Sequence, residues 1–106
     1  MRRVLASGVG MVVAVEREAV GGVAVFRWYD DTSEGRKFYV DDLVVDAACR
    51  SRGLGHTIMA YLDGEARWLG CRALVLDSGT QRTRVHGFYF RENFVITSFN
   101  FKKQLT

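Results

Sequence analysis

The stretch that most constrains this chain is Cys49-Arg50-Ser51-Arg52-Gly53-Leu54-Gly55-His56-Thr57. An extended apolar run, Phe38-Tyr39-Val40-Asp41-Asp42-Leu43-Val44-Val45, precedes it, and apolar residues recur with helical spacing after it. The segment therefore reads as a strand, a basic glycine-bearing loop and a helix. The start of a helix exposes N–H groups that have no intrahelical acceptor, and it carries roughly half a unit of positive charge. Glycines let the backbone approach an anion closely at such a point. Arg50-x-x-Gly53-x-Gly55 lacks the Lys-Ser/Thr ending of a P-loop and has one Gly-x-Gly instead of Gly-x-Gly-x-x-Gly. Taken alone, it reads first as a plain strand-to-helix turn.

The rest of the chain supplies the context. Met11 to Glu16 is short and β-branched, hence a strand, and Gly21-Gly22 offers a hairpin turn. Val23 to Tyr29 alternates as a second strand, and Asp30 to Arg36 is a polar connection. Lys37 to Val45 forms a third strand, with Phe38, Val40 and Val44 expected on one face and Tyr39, Leu43 and Val45 on the other. Apolar residues on both faces imply a strand covered on both sides. Asp41-Asp42 in its middle is costly unless paired or beside a cleft, which predicts a bulge or a splayed opening there.

Leu54, Ile58, Tyr61, Leu62, Ala66 and Leu69 form one helical stripe, and Gly70 stands where a left-handed cap is expected. Arg72 to Leu76 reads as a strand parallel to the third, closing a βαβ unit. Asp77-Ser78-Gly79-Thr80 can cap a second helix over Gln81 to Glu92, whose apolar side is Val85, Phe88, Tyr89 and Phe90. Asn93 suits a left-handed helix end, and Phe94 to Lys103 alternates as a final strand. The expected fold is α/β, a mixed sheet with helices on its faces in the order β-β-β-α-β-α-β, built as one domain over residues 1–106.

Composition narrows the function classes. With 48% apolar and 25% charged residues, the chain belongs with ordinary globular proteins rather than disordered ones. A net charge of +3 is too mild to imply a nucleic-acid partner. Phe94, Phe99, Phe101 and Trp28 could stack bases, but aromatic alternation in a small domain is first read as core. Cys49 and Cys71 lack framework spacing and companion histidines, which argues against a metal or disulfide scaffold and fits a reducing, cytoplasmic setting. Glu16, Arg17 and Glu18 close the short apolar N-terminal run and argue against a signal peptide. No apolar run approaches the ~20 residues that span a bilayer.

The spacing Leu43-x-Val45-x4-Arg50-x-x-Gly53-x-Gly55 on strand, loop and helix resembles motif A of the GCN5-related N-acetyltransferases. Phe88-Tyr89-x3-Asn93-Phe94 resembles that family's Phe-Tyr-x3-Gly-Phe segment, with Asn in place of Gly, and a strand ending Leu76-Asp77 joins the two. The resemblance implies an acetyltransferase that uses acetyl-CoA as co-substrate, without a metal. It places the pyrophosphate on Arg50, Ser51, Arg52, Gly53, Leu54, Gly55 and His56, and the pantetheine arm along the backbone of Leu43, Val44 and Val45 and near Ser78. A neutral amine would attack the thioester, with Asp41 or Asp42 as the base and Tyr89 protonating the departing thiolate. The plainer reading of the aspartates is that one caps or salt-bridges, Tyr89 could be a core aromatic, and His86 reads as a solvent-facing or capping residue before it reads as a base.

The family's fold begins with a strand and two helices that help to wall the acceptor site, and only about ten residues precede Met11 here. That leaves the strand at Met11 to Glu16 as an uncovered edge, from which a homodimer is expected. Two further readings remain open: a non-catalytic acyl-CoA-binding module, and a nucleic-acid-binding module whose binding would fall steeply with salt.

Overall fold

The computed structural model describes residues 1–16, 18–32, 35–47, 49 and 53–106. They fall into two compact units, Met1–Leu76 and Asp77–Thr106. In the first unit, β1 (Arg2–Ala6), β2 (Val9–Glu16), β3 (Ala19–Asp31) and β4 (Gly35–Val45) pair antiparallel in that order. The helix α1 (Leu54–Trp68) then leads to β5 (Ala73–Leu76), which pairs parallel with β4. This is the mixed sheet and βαβ unit expected from the sequence.

Three local expectations fail, each for a physical reason. The first concerns the N-terminus, where no strand was expected before Met11. There β1 turns back through Ser7-Gly8, with Gly8 at φ 73, and pairs Val4 with Met11. The β2 strand is therefore interior, and the argument for a second copy pairing with its edge falls away. The outer edge is β1, and Arg2 and Arg3 on it resist pairing.

The second concerns Gly21-Gly22, which lies inside β3 and not in a hairpin turn. Ala14 pairs with Gly22 and Val15 with Val20, so Gly21 is a bulged extra residue. A Cβ at Gly22 would stand 2.6 Å from Ile58 Cδ1, so this glycine serves the close approach of α1. The third concerns the final strand. In the second unit, Phe94 to Thr106 forms no ladder among the described residues, and Phe99 and Phe101 are 82% and 92% exposed. Alternation alone does not make a strand; without a partner edge these aromatics stay out of the core.

The core lies between α1 and one face of the sheet. Val12, Ala24, Phe26, Phe38 and Val40 are buried on the sheet, and Ile58, Leu62 and Ala66 of the helix stripe are buried with Met59 on α1, which packs against β3 and β4. Phe26 and Phe38 stack with ring centroids 4.5 Å apart, and Phe26 lies over Gly10, where a Cβ would come within 2.5 Å of its ring. The helix ends as expected: Gly70 is left-handed at φ 76, Gly70 N–H donates to the Arg67 carbonyl and Cys71 N–H to that of Ala66.

A polar cluster fastens β1 to α1. Arg3 pairs with Val12 in the ladder, so it shares the helix face, where its guanidinium donates to Glu65. Tyr61 Oη also donates to Glu65 Oε1, at 3.1 Å, and Arg3 lies over the Trp68 ring. Glu65 is only 7% exposed, so its charge depends on these donors. Arg3→Ala should cost about 3 kcal/mol in urea unfolding, the lower end for breaking a buried pair, because Arg3 is itself partly in water. A loss below about 0.5 kcal/mol, the range of ordinary surface substitutions, would show that β1 is held by its ladder alone.

Candidate active site

The strand β4 carries the decisive irregularity. Val25 of β3 pairs with Asp42 and Phe26 pairs with Val40, so Asp41 is an extra, bulged residue. The opening inferred at Asp41-Asp42 therefore exists as a bulge, and it reverses the alternation beyond it. Leu43 now lies opposite Ala24 and Val45 opposite Gly22, on the face that holds Phe38 and Val40 and meets α1. Val44 lies opposite Val23 on the other face and is 56% exposed. The expected grouping of Val44 with Phe38 and Val40, and of Leu43 and Val45 with Tyr39, is thus corrected. A strict period of two cannot survive an inserted residue.

The bulge also decides where the carboxylates go. Adjacent residues of a regular strand point to opposite faces. Here Asp42 lies opposite Val25, on the face away from α1, and Asp41 reaches Arg27 on that same face, accepting from Nε at 3.1 Å. Arg27 also lies over the rings of Tyr39 and Tyr29, with its Cζ 4.8 and 5.5 Å from their centroids. Asp41 is thus held in an ion pair. The Asp42 carboxylate is exposed and makes no ion pair with another described residue. Sequence reading did not single out Arg27; its one signal was a charge interrupting the run Val23, Val25 on that face.

The ladder between β4 and β5 comprises Lys37 with Ala73, Phe38 with Leu74, Tyr39 with Val75 and Val40 with Leu76. It stops at the residue before the bulge, so Asp41 to Val45 extends past the end of β5. The chain then passes Asp46, whose N–H donates to the Gly21 carbonyl, toward α1.

At the start of α1, Gly53 is the N-cap in the left-handed conformation, with φ 73 and ψ 19. No atom lies within 4 Å of a Cβ built there, so the glycine answers to backbone conformation and not to crowding. The first turn has no side-chain cap and no acidic residue, and Thr57 Oγ1 donates to the Gly53 carbonyl at 3.2 Å. The first turn of the helix itself therefore brings no negative side chain to its positive end. Leu54 and Gly55 are half-buried, while His56 is exposed. Arg50, Ser51 and Arg52, the other expected members of this loop, lie outside the described residues.

The second unit holds Ser78 and Tyr89. The Ser78 hydroxyl is buried without a hydrogen-bond partner among the described residues, an orphan that a ligand acceptor or donor would satisfy. His86 Nε2 donates to the Gly79 carbonyl at 2.8 Å, across the turn that precedes α2. The helix α2 spans Thr83–Arg91, two residues later than expected at its start. Asn93 is left-handed at φ 69, and Phe94 N–H returns to the Tyr89 carbonyl. These fix Tyr89 edge-on between Phe88 and Phe94, with centroids 5.4 and 5.7 Å away. Burial pushes the Tyr89 phenol above its ordinary pKa, and the nearby Arg82 charge opposes that shift. Among the described residues no group of three His, Cys, Asp or Glu side chains could hold a metal ion.

Known proteins share the family pattern and the fold. Residues 3–94 match the family model for the acetyltransferase (GNAT) family. An uncharacterized N-acetyltransferase of Bacillus subtilis, YhdJ, is 38% identical over 71 residues, covering 66% of this chain and 50% of its own length. Glucosamine 6-phosphate N-acetyltransferase 1 of Oryza sativa subsp. japonica is 41% identical over 61 residues, covering 58% of this chain and 35% of its own. The chain thus matches half or less of the length of these curated relatives. The aminoglycoside N-acetyltransferase AAC(6')-Iy, in a structure with CoA, superposes with a TM-score of 0.85 at 17% identity, over 95% of this chain and 78% of that one, which is a likeness of fold. With the family match extending over nearly the whole sequence, the chain belongs to the GNAT acetyltransferase family.

Proposed function

We propose that this chain transfers the acetyl group of acetyl-CoA to a primary amine by direct attack. The observation that carries this reading is that one strand holds both halves of the requirement. β4 bulges and outruns β5 at Asp41, and it leads to a helix start at Gly53 whose first turn has no acidic residue and no capping side chain among the described residues. The edge from Leu43 through Val44 to Val45 would align the pantetheine arm and the thioester by strand-like hydrogen bonds. The turn from Arg50 to His56 would hold the pyrophosphate, with Gly53 giving the backbone its left-handed turn. In the second unit, the buried hydroxyl of Ser78, without a partner among the described residues, is open to a ligand contact.

Acetyl-CoA is a substrate here, and it supplies an activated acyl group. The chain's own residues move the protons. Asp42 is the better base, because Arg27 already occupies Asp41. It takes a proton from the amine as the C–N bond forms, and Tyr89 gives one to the sulfur as the C–S bond breaks. The rice relative's name joins an amine and a phosphate in one small molecule, which supports a small amine acceptor. Neither Cys49 nor Cys71 is in a disulfide, which suits a reducing, cytoplasmic compartment.

Calorimetric titration with acetyl-CoA tests the cofactor half. Gly53→Glu puts a negative charge where the pyrophosphate would sit and should weaken binding at least tenfold. Gly53→Asn, which tolerates the left-handed backbone, should keep most of it. Equal binding by wild type and Gly53→Glu would remove the pyrophosphate from this turn. Tight binding without thiol release from any amine would favour the non-catalytic module.

The acid role makes a pH prediction. Tyr89 donates in its protonated form, and its raised pKa keeps it protonated further into the alkaline range. Turnover should therefore hold past the pH at which an ordinary tyrosine ionises and fall as pH rises through the Tyr89 pKa. Tyr89→Phe should lower kcat at least tenfold and abolish that alkaline limb. An unchanged kcat would take Tyr89 out of the mechanism.

A further inference from the structure

Resting on the acetyltransferase reading, we propose that Arg27 and Asp42 form an acceptor subsite for a short primary amine that also bears an anionic group, a phosphonate, phosphate or carboxylate. On the face of the sheet away from α1, Val9 lies opposite Arg27 and Met11 opposite Val25, and the Lys37–Asp31 ion pair occupies the far end of β3 and β4. A separate group of charges stands where β4 bulges. Asp41 and Asp42 both reach this face only because of the extra residue, and Arg27 stands beside them.

Arg27 is held as a binding group would be. Its Nε–H donates to Asp41, and its guanidinium is stacked over Tyr39 and Tyr29. These contacts fix the plane of the group, while its terminal NH2 groups donate to no other described side chain and the residue is 49% exposed. A guanidinium has five N–H donors, and one is used here; the remaining fork matches a carboxylate or phosphonate oxygen pair. Holding the side chain in advance lowers the entropy lost when an anion binds.

Asp42 supplies the other end. Val25, its ladder partner, lies two residues from Arg27 along β3, roughly 7 Å at about 3.3 Å per residue. That is the reach of a short aminoalkyl chain with an anion at its far end. The amine would arrive as ammonium opposite the Asp42 carboxylate and release its first proton to solvent before attack, and Asp42 would take the second as the C–N bond forms. Asp42 would face the ammonium and the free fork of Arg27 the anion, so each end of such a ligand has its own partner. A plain alkylamine would satisfy Asp42 alone.

Three probes of matched length separate the possibilities: aminoethylphosphonate, β-alanine and propylamine, each titrated calorimetrically into the CoA-saturated protein and assayed for thiol release with acetyl-CoA. The subsite predicts that at least one anion-bearing amine binds tenfold or more tighter than propylamine. The phosphonate and β-alanine arms tell a phosphonate-type anion from a carboxylate. Arg27→Met should raise the Kd and KM of that probe at least tenfold and leave those of propylamine unchanged, which also shows that the variant is folded. Asp41→Asn, which breaks the ion pair but keeps the guanidinium, should retain or strengthen binding of the anionic probe; a merely structural Arg27 would make the two variants alike. Propylamine binding as tightly as both anionic probes, or unchanged affinity in Arg27→Met, overturns the subsite. Absence of thiol release with all three overturns the acetyltransferase reading, while the binding ranking still decides the subsite.

Discussion

A single inserted residue in β4 determines how this molecule can work. In a regular strand, Asp41 and Asp42 would face opposite sides, and one carboxylate would enter the core beneath α1, at a cost that nothing there could offset. The bulge at Asp41 turns both toward the open face and returns Leu43 and Val45 to the helix side, opposite Ala24 and Gly22. It coincides with the end of the ladder to β5. The same local event thus relieves a buried charge, reverses the faces of the strand and marks where the edge of β4 runs beyond its parallel neighbour.

The rest of the first unit fixes that strand in place. Stacking of Phe26 on Phe38 ties β3 to β4 immediately before the bulge, and α1 can come close because Gly22 has no side chain. Beyond the bulge, the left-handed turn at Gly53 starts a helix that has neither a capping side chain nor an acidic first turn. Helices normally compensate that end. Leaving it bare costs some helix stability and is consistent with a site that receives a negative ligand.

Much of this was legible in the sequence, because the signals were local and redundant. The helix stripe from Leu54, the cap at Gly70 and the turn at Asn93 each follow from residue type and spacing, and each is found. Asp41-Asp42 in an apolar strand announced a bulge without saying which residue would be extra, so the faces of Val44 and of Leu43 with Val45 came out reversed. Strand β1 was missed because Arg2-Arg3-Val4-Leu5-Ala6 is short and exposed throughout; pairing with β2 and the contact between Arg3 and Glu65 hold it, and both are remote in sequence. The Gly21-Gly22 pair misled for the opposite reason. Glycine marks a turn, a bulge or a close packing contact, and only the position of Ile58 tells which. Arg27 could not be recognised as part of a site until the bulge brought Asp41 to it.

A coenzyme A site formed jointly by the bulged edge of β4 and the turn at Gly53 can be followed by backbone amide NMR during a CoA titration. Shifts should concentrate at Leu43, Val44, Val45, Gly53, Leu54 and Gly55, with slowed amide exchange at those positions and little change along β1 and β2. Saturable binding that leaves these six amides unmoved would contradict such a site.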